Sequence, residues 1–381
     1  MTSHLTEQDA ARPLRIGIAG AGLLGRLLAW TLCKAGHQVS VFDPAPGPAA
    51  RFDGHQAAGL TAAGMLSPLA ELDQANPDVA ALGWRSLNRW RDITAALAHT
   101  GPLAPCFRQS GSLLVAHGPD LGTAHRVLQR LAQAHQPPWP APQPLQAAEL
   151  HTLEPELHGA QGPLHAWLLP DEGCIDTVVT MQALHDQACT AEWHWGQTVT
   201  DVSPGALHLH DGHTLAVDWA IDVRGTGARA SLPVRGVRGE LVWLHAPGVR
   251  LTRPVRLLHP RHRVYIVPRP GDVVLVGASE LESEDRSGVS LRSAVELMAA
   301  AHSVLPALAE ARILRTDTNL RPALPDHRPR LHAEPGLLRI NGLYRHGWLL
   351  APALVEDGLR HLMPTFVPTF TPPLSPTPVT A

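Results

Sequence analysis

Apolar positions recur with helical spacing over Leu23–Lys34, Val79–His99, Val178–Cys189, Leu291–Leu305 and Pro352–Met363, and less strongly over residues 121–135. Short apolar runs bounded by turn residues fall at Ile16–Ala19, Val39–Phe42, Ala220–Val223, Leu241–Leu244, Val264–Val267 and Val273–Val276. The first set predicts helices with one buried face and the second predicts strands, so the chain mixes both kinds of element. In ALHLHDGHTLAVDWAI, Asp211-Gly212 sits between two alternating runs, which predicts an antiparallel hairpin with both turn residues at positive φ. A purely parallel βαβ chain is thereby excluded. No fixed-period self-similarity points to a solenoid or propeller. Residues 1–13 and the Pro/Thr-rich end 364–381 carry no pattern that packs and are expected to be flexible tails, and the Pro137–Pro144 stretch reads as a surface connection.

Composition narrows the class. With 381 residues, 44% hydrophobic and 17% charged, the chain has the make-up of a soluble globular protein of one large or two medium domains. Thirty-one basic against 34 acidic side chains leave no global field for nucleic acid or anionic lipid. Cys33, Cys106, Cys174 and Cys189 are too scattered for a zinc ribbon, a dithiol motif or a disulfide framework, which favours a reducing, cytoplasmic setting. The polar, acidic start does not resemble a signal peptide, and no apolar run is long enough for stable membrane insertion.

The sharpest motif is RIGIAGAGLLGRLLAWTLCKAGHQVSVFD. Gly20-x-Gly22-x-x-Gly25 follows a strand and opens an apolar-faced helix, Gly36 is a credible helix stop, and a second strand ends at Asp43. Gly20 suits the tight turn, Gly22 lets backbone approach a pyrophosphate, and Gly25 lets helix and strand pack closely. The helix N-terminus offers free N–H donors to phosphate, and Asp43 stands where a carboxylate would accept ribose hydroxyls. The motif predicts dinucleotide binding and leaves NAD and FAD both open.

Further segments follow in order: GLTAAGMLSPLAELD, PDEGCIDTVVTMQAL, VRGELVWL, VYIVPRPGDVVLVGAS, TNLRPALPDHRPRL and INGLYRHGWLLAPALVEDGL. Together with the glycine turn, this succession, from Leu14 to Met363, resembles the glycine oxidase branch of the D-amino acid oxidase family of flavoenzymes. The resemblance implies a mixed α/β fold: a Rossmann-type FAD-binding domain from 14–72, 174–232 and 316–363, and a substrate domain on a mixed, largely antiparallel sheet from 73–173 and 233–315. It implies flavin contacts at Leu23 and Leu24, Asp43 and Pro44, Ala63, Gly64 and Met65, Val199, and the run Leu343, Tyr344, Arg345, His346, Gly347, Trp348 and Leu349. The small run Thr61-Ala62-Ala63-Gly64 suits a planar ring that needs backbone close to it, and Pro352 suits the first turn of a helix whose amides face the flavin.

Oxidising an amino acid at a flavin asks for position more than for a nucleophile or a metal. The resemblance makes Arg321 the clamp on the substrate carboxylate, Tyr265 a hydroxyl beside it, and Arg345 a residue near substrate and flavin. It implies oxidation of glycine or a small amino acid or amine, with molecular oxygen as acceptor, and a link to the thiamine thiazole; relatives commonly self-associate. Two other readings stay open: a D-amino acid or sarcosine-type dehydrogenase delivering electrons to a quinone, and a nucleotide-binding module without activity. Ala58 and Gly59 stand where relatives carry Ser or Thr near the phosphates, the stretch from Asp43 to Thr61 is longer, and Arg224-Gly225-Thr226-Gly227 replaces a run of small residues. No metal is expected from His208, His210 and His213, which read as solvated hairpin residues, and the run Arg250, Arg253, Arg256, Arg261, Arg263 and Arg269 lacks the interleaved aromatics of an RNA-binding surface.

Overall fold

The strand Arg15–Ala19 loses nearly all its surface after its first residue, because parallel strands lie on both sides of it. The computed structural model describes residues 12–73, 77–100, 107–134, 138–160, 162–259 and 263–363. Residues 1–11, the tail from 364, Cys106, Pro137 and Arg261 lie outside them. Around Arg15–Ala19 a six-stranded sheet runs in the order Arg330–Glu334, Leu337–Asn341, Trp219–Asp222, Arg15–Ala19, Gln38–Asp43, Glu192–Trp195. Only the first of these pairings is antiparallel. The helix Leu23–Lys34 makes the first crossover with Leu27, Leu28 and Leu32 fully buried, and Gly36 at φ +82 ends it where expected.

A second sheet has eight strands, in the order Arg312–Ala323, Arg235–His245, Val273–Gly277, Arg263–Arg269, Val255–Leu258, Ser112–His117, Leu164–Leu169, Gln143–Leu145. All its pairings are antiparallel except that of Ser112–His117 with Val255–Leu258, which makes it the mixed sheet anticipated. Helix Leu291–Val304 closes one core against it through Leu297, Ala301 and Val304. Residues 316–323, grouped by resemblance with the dinucleotide-binding segments, lie in this sheet as part of the strand Arg312–Ala323.

Four details depart from the sequence reading. The strand Arg235–His245 is 11 residues long rather than four, because its buried charges Arg238 and Glu240 pair with each other and break the apolar pattern without breaking the strand. The Pro-rich connection contains an edge strand, Gln143–Leu145, where Pro144 costs the sheet no shared hydrogen bond. In the predicted hairpin only Gly212 has positive φ; Gly212 N–H donates to Leu209 O and Leu209 N–H to His213 O. The loop therefore has three residues and ends in a glycine bulge, so His210 leaves the strand while His208 stays in it.

The fourth departure is the last helix, which runs Gly347–Leu362, so Pro352 lies in its interior rather than its first turn. Proline has no N–H to offer the Trp348 carbonyl one turn back. Trp90, on the long helix Pro77–Thr100, donates its indole N–H to that carbonyl at 2.7 Å, and Ser86 Oγ accepts the Ala353 N–H at 3.1 Å. The two helices are thus joined at the point where one would otherwise carry unsatisfied backbone.

Candidate active site

Between the C-terminal ends of the parallel strands and the eight-stranded sheet lies a cavity of about 520 Å³. Its wall includes Gly20, Gly22, Leu23, Leu24, Asp43, Pro44, Ala63, Gly64, Met65, Val199, Leu343 through Leu349, Tyr265 and Arg321. Residues expected from separate segments therefore meet on one surface. Gly25 is set behind it: a Cβ there would lie 1.8 Å from the Gly20 carbonyl oxygen, the close helix–strand contact read from the motif.

At the turn, Gly20 has φ +105 and a Cβ on it would meet the Val223 carbonyl at 2.8 Å. Asp43 serves the turn directly, accepting the Ala21 N–H at 2.7 Å on one oxygen and the Ala45 N–H at 2.9 Å on the other. Arg26, one residue beyond the last glycine, was missed in the sequence. It is buried and donates to the carbonyls of Ala21, Met181 and Pro48, and burial lowers its pKa to about 10. Gly59 is packed between Met181 and Leu23, and its carbonyl accepts the Trp348 indole N–H at 3.0 Å, so backbone and side chains meet closely at this point. Arg224 folds onto buried Asp222 and donates to the carbonyls of Val199 and Thr200, fixing the strand edge at the far end of the cavity.

These features fit a flavin dinucleotide. The turn offers backbone close to a diphosphate, Ala62-Ala63-Gly64 offers a flat small-residue wall, and the buried Gln56 side-chain nitrogen has no hydrogen-bond partner among the described residues.

At the other end, Arg321 lies on the strand Arg312–Ala323 with Nη1 donating to the Ser279 carbonyl at 3.0 Å. Its guanidinium lies flat on Gly239 of the neighbouring strand, where a Cβ would come within 2.4 Å of Cζ and Nη2. Tyr265 is seated in the same way: it pairs with Gly277, where a Cβ would be 2.8 Å from its ring. Both glycines interrupt apolar strand patterns, a signal of close approach that was legible and passed over. Burial raises the Tyr265 pKa, with Arg321 beside it working in the opposite direction, so the hydroxyl stays protonated at neutral pH. Gly239→Ala is expected to displace the guanidinium and cut kcat/KM about 10- to 100-fold with the flavin spectrum unchanged; steady-state kinetics beside an absorption spectrum check it.

Arg345 meets Glu71 at 2.9 Å, as do His346 Nε2 at 2.9 Å and Arg256 at 3.3 Å. Burial alone would raise the Glu71 pKa, but Arg345, His346 and Arg256 hold it well below the usual carboxylate value. An ionised Glu71 accepts, which places the His346 proton on Nε2. Arg256 thus leaves the surface run to which the sequence assigned it. Arg253 leaves with it, onto buried Glu154, and Arg269 onto the Ala63 carbonyl. Tyr344, beside them, has φ +51, and burial together with nearby Glu280 raises its pKa.

Behind this cluster, fully buried Glu172 accepts the Ala70 N–H at 2.9 Å and a hydrogen bond from Ser112, and burial lifts its pKa to about 7. Because the unfolded carboxyl ionises near 4.5, the stability this group supports is full below that value and is lost as pH rises through about 7. Glu172→Gln keeps both hydrogen bonds without the charge. The Tm of the variant relative to wild type is expected to rise between pH 5 and pH 8, corresponding to on the order of 3 kcal/mol; thermal melts across that range decide it.

Among the described residues, no helix is long and apolar enough to cross a membrane. The family described as FAD dependent oxidoreductase matches residues 15–356. A putative thiamine biosynthesis oxidoreductase ThiO from Rhizobium etli is 34% identical over 92% of this chain and 97% of its own length. Glycine oxidase from Geobacillus kaustophilus is 26% identical over 88% of this chain and 89% of its own. The crystal structure of that organism's glycine oxidase superposes with a TM-score of 0.79 at 24% identity, covering 93% of this chain and 96% of the other. The iminodiacetate oxidase of Chelativorans does so with a TM-score of 0.79 at 24% identity, over 94% and 99%. With its glycine turn, its dinucleotide-sized cavity and this match over most of its length, the chain belongs to the FAD-dependent oxidoreductase family.

Proposed function

We propose that this protein oxidises glycine, or a similarly small amino acid or amine, with oxygen as the electron acceptor, and that the product serves formation of the thiamine thiazole. The observation that carries the substrate class is Arg321, an arginine on the cavity wall with no carboxylate within ion-pair distance among the described residues. Nη1 is occupied by the Ser279 carbonyl, which leaves the Nη2 side for an incoming carboxylate. Tyr265, held protonated, donates a hydrogen bond to the same group. Bound FAD supplies the two-electron acceptor, taking hydride from Cα of the substrate and passing the electron pair to oxygen as peroxide. Arg321 and Tyr265 fix the carboxylate, so that Cα has one approach to the ring. Arg345, turned toward Glu71 and Glu280, shapes the wall between substrate and flavin. The thiamine connection is supported by the name of the Rhizobium etli relative, and glycine by the glycine oxidase relative.

In this reading the segments 14–72, 174–232 and 324–363 hold the cofactor, while 73–173, 233–315 and the strand Arg312–Ala323 build the substrate wall. An oxygen electrode with coupled peroxide detection, run on glycine, sarcosine, D-alanine and iminodiacetate, tests it. Glycine-dependent peroxide in step with oxygen uptake is expected. Turnover only with an added quinone would replace the oxidase reading with the dehydrogenase one.

A further inference from the structure

Five arginines stand on the cavity wall: Arg224, Arg256, Arg286, Arg321 and Arg345. Three are neutralised where they stand, Arg224 by Asp222 at 2.7 Å and Arg256 and Arg345 by Glu71. Among the described residues, Arg286 and Arg321 have no carboxylate within ion-pair distance. A half-buried guanidinium in a cavity is costly unless an anion faces it, so two bare arginines point to two anionic groups. Arg321 faces the substrate end, which leaves Arg286.

Its position is fixed by what it holds. The guanidinium donates to the Gly54 carbonyl, and Asn319 Nδ2 donates to the Gln56 carbonyl at 3.1 Å. The next residue, Ala57, faces the middle glycine of the turn: a Cβ built on Gly22 would lie 3.6 Å from its own. Arg286 is therefore tied to the wall directly across from the turn where a diphosphate would approach. On the same wall Gln56 Nε2 is buried without an acceptor among the described residues. Residues 58 and 59 offer no hydroxyl there, and the packing of Gly59 forbids one.

We propose that Arg286 is the counter-charge to the cofactor's diphosphate, with the Gln56 amide as a neutral donor beside it, in place of the hydroxyls missing at residues 58 and 59. The inference rests on the FAD reading of the cavity. It gives the longer stretch after Asp43 a use, since that stretch, anchored at the Pro48 carbonyl by Arg26, carries Gly54–Ala57 across to the turn.

The test is FAD affinity of the apoprotein, read by quenching of flavin fluorescence, for wild type, Arg286→Gln and Arg286→Glu. Both variants lose the Gly54 contact, and they differ in charge. Arg286→Gln is expected to raise the Kd for FAD at least tenfold and Arg286→Glu at least tenfold further, with the glycine KM at saturating FAD within twofold of wild type. Equal Kd values for the two variants would reduce Arg286 to a loop fastener and overturn the proposal. So would an unchanged Kd with a raised KM, which would assign the arginine to a substrate carboxylate. Wild-type apoprotein that takes up no FAD would overturn the functional reading itself, which keeps the two failures apart.

Discussion

Arg321→Ala is expected to raise the KM for glycine by roughly two to three orders of magnitude while the protein keeps its flavin and its absorption spectrum. Truncating one partner of a buried, hydrogen-bonded charge pair costs about 2–5 kcal/mol. At this site no other unpaired arginine stands near enough to take over: Arg256 and Arg345 are bound to Glu71, and the neighbouring donor is the neutral Tyr265. Arg321→Lys is expected to recover only part of the loss, since an ammonium cannot reproduce the planar two-pronged contact and cannot lie flat on Gly239. Steady-state kinetics beside a flavin spectrum separate binding from cofactor loss. A KM within a few-fold of wild type would mean that the substrate carboxylate is held elsewhere.

Glu71→Ala is expected to be the most damaging single change to stability in the site, about 3–5 kcal/mol, because it leaves Arg345, His346 and Arg256 clustered around a void. The variant should melt well below wild type, and what folds should bind glycine poorly, since Arg345 loses the carboxylate that orients it. The pH dependence carries a sign. Glu71 has its folded pKa depressed, so its contribution is present above the ordinary carboxylate value near 4.5 and is lost as pH falls through the folded value. Melting curves of wild type and variant should therefore converge in acid. A constant gap between them down to low pH would show that the cluster is held by packing rather than by the Glu71 charge.

The dinucleotide end of the site was legible because its chemistry is local. Gly20, Gly22, Gly25 and Asp43 lie within 24 consecutive residues, and their spacing alone describes strand, turn, helix and strand. The substrate end was legible only through resemblance. Glu71 and His346 are separated by 275 positions and meet because a short helix and the start of the last helix converge on the cavity, which no periodicity announces. The strand Arg312–Ala323 escaped for a different reason. It carries Arg315, Asp317, Asn319 and Arg321, a polar series that reads as a loop until its neighbour is known to bury Arg238 and Glu240 beside it. Gly239 and Gly277 were visible as glycines inside strands, but what each makes room for depended on register with a partner strand. Pro352 was misread because the indole that accepts its consequence, Trp90, sits on a helix 258 positions before Trp348.

The central claim, that a bound flavin in this cavity takes electrons from glycine held by Arg321, is tested most directly by the visible spectrum of the purified protein before and after anaerobic addition of glycine. The account predicts a flavin band that bleaches on addition and returns when air is admitted. A flavin band that glycine leaves untouched would contradict the substrate, and a protein that carries and takes up no flavin would contradict the account at its root.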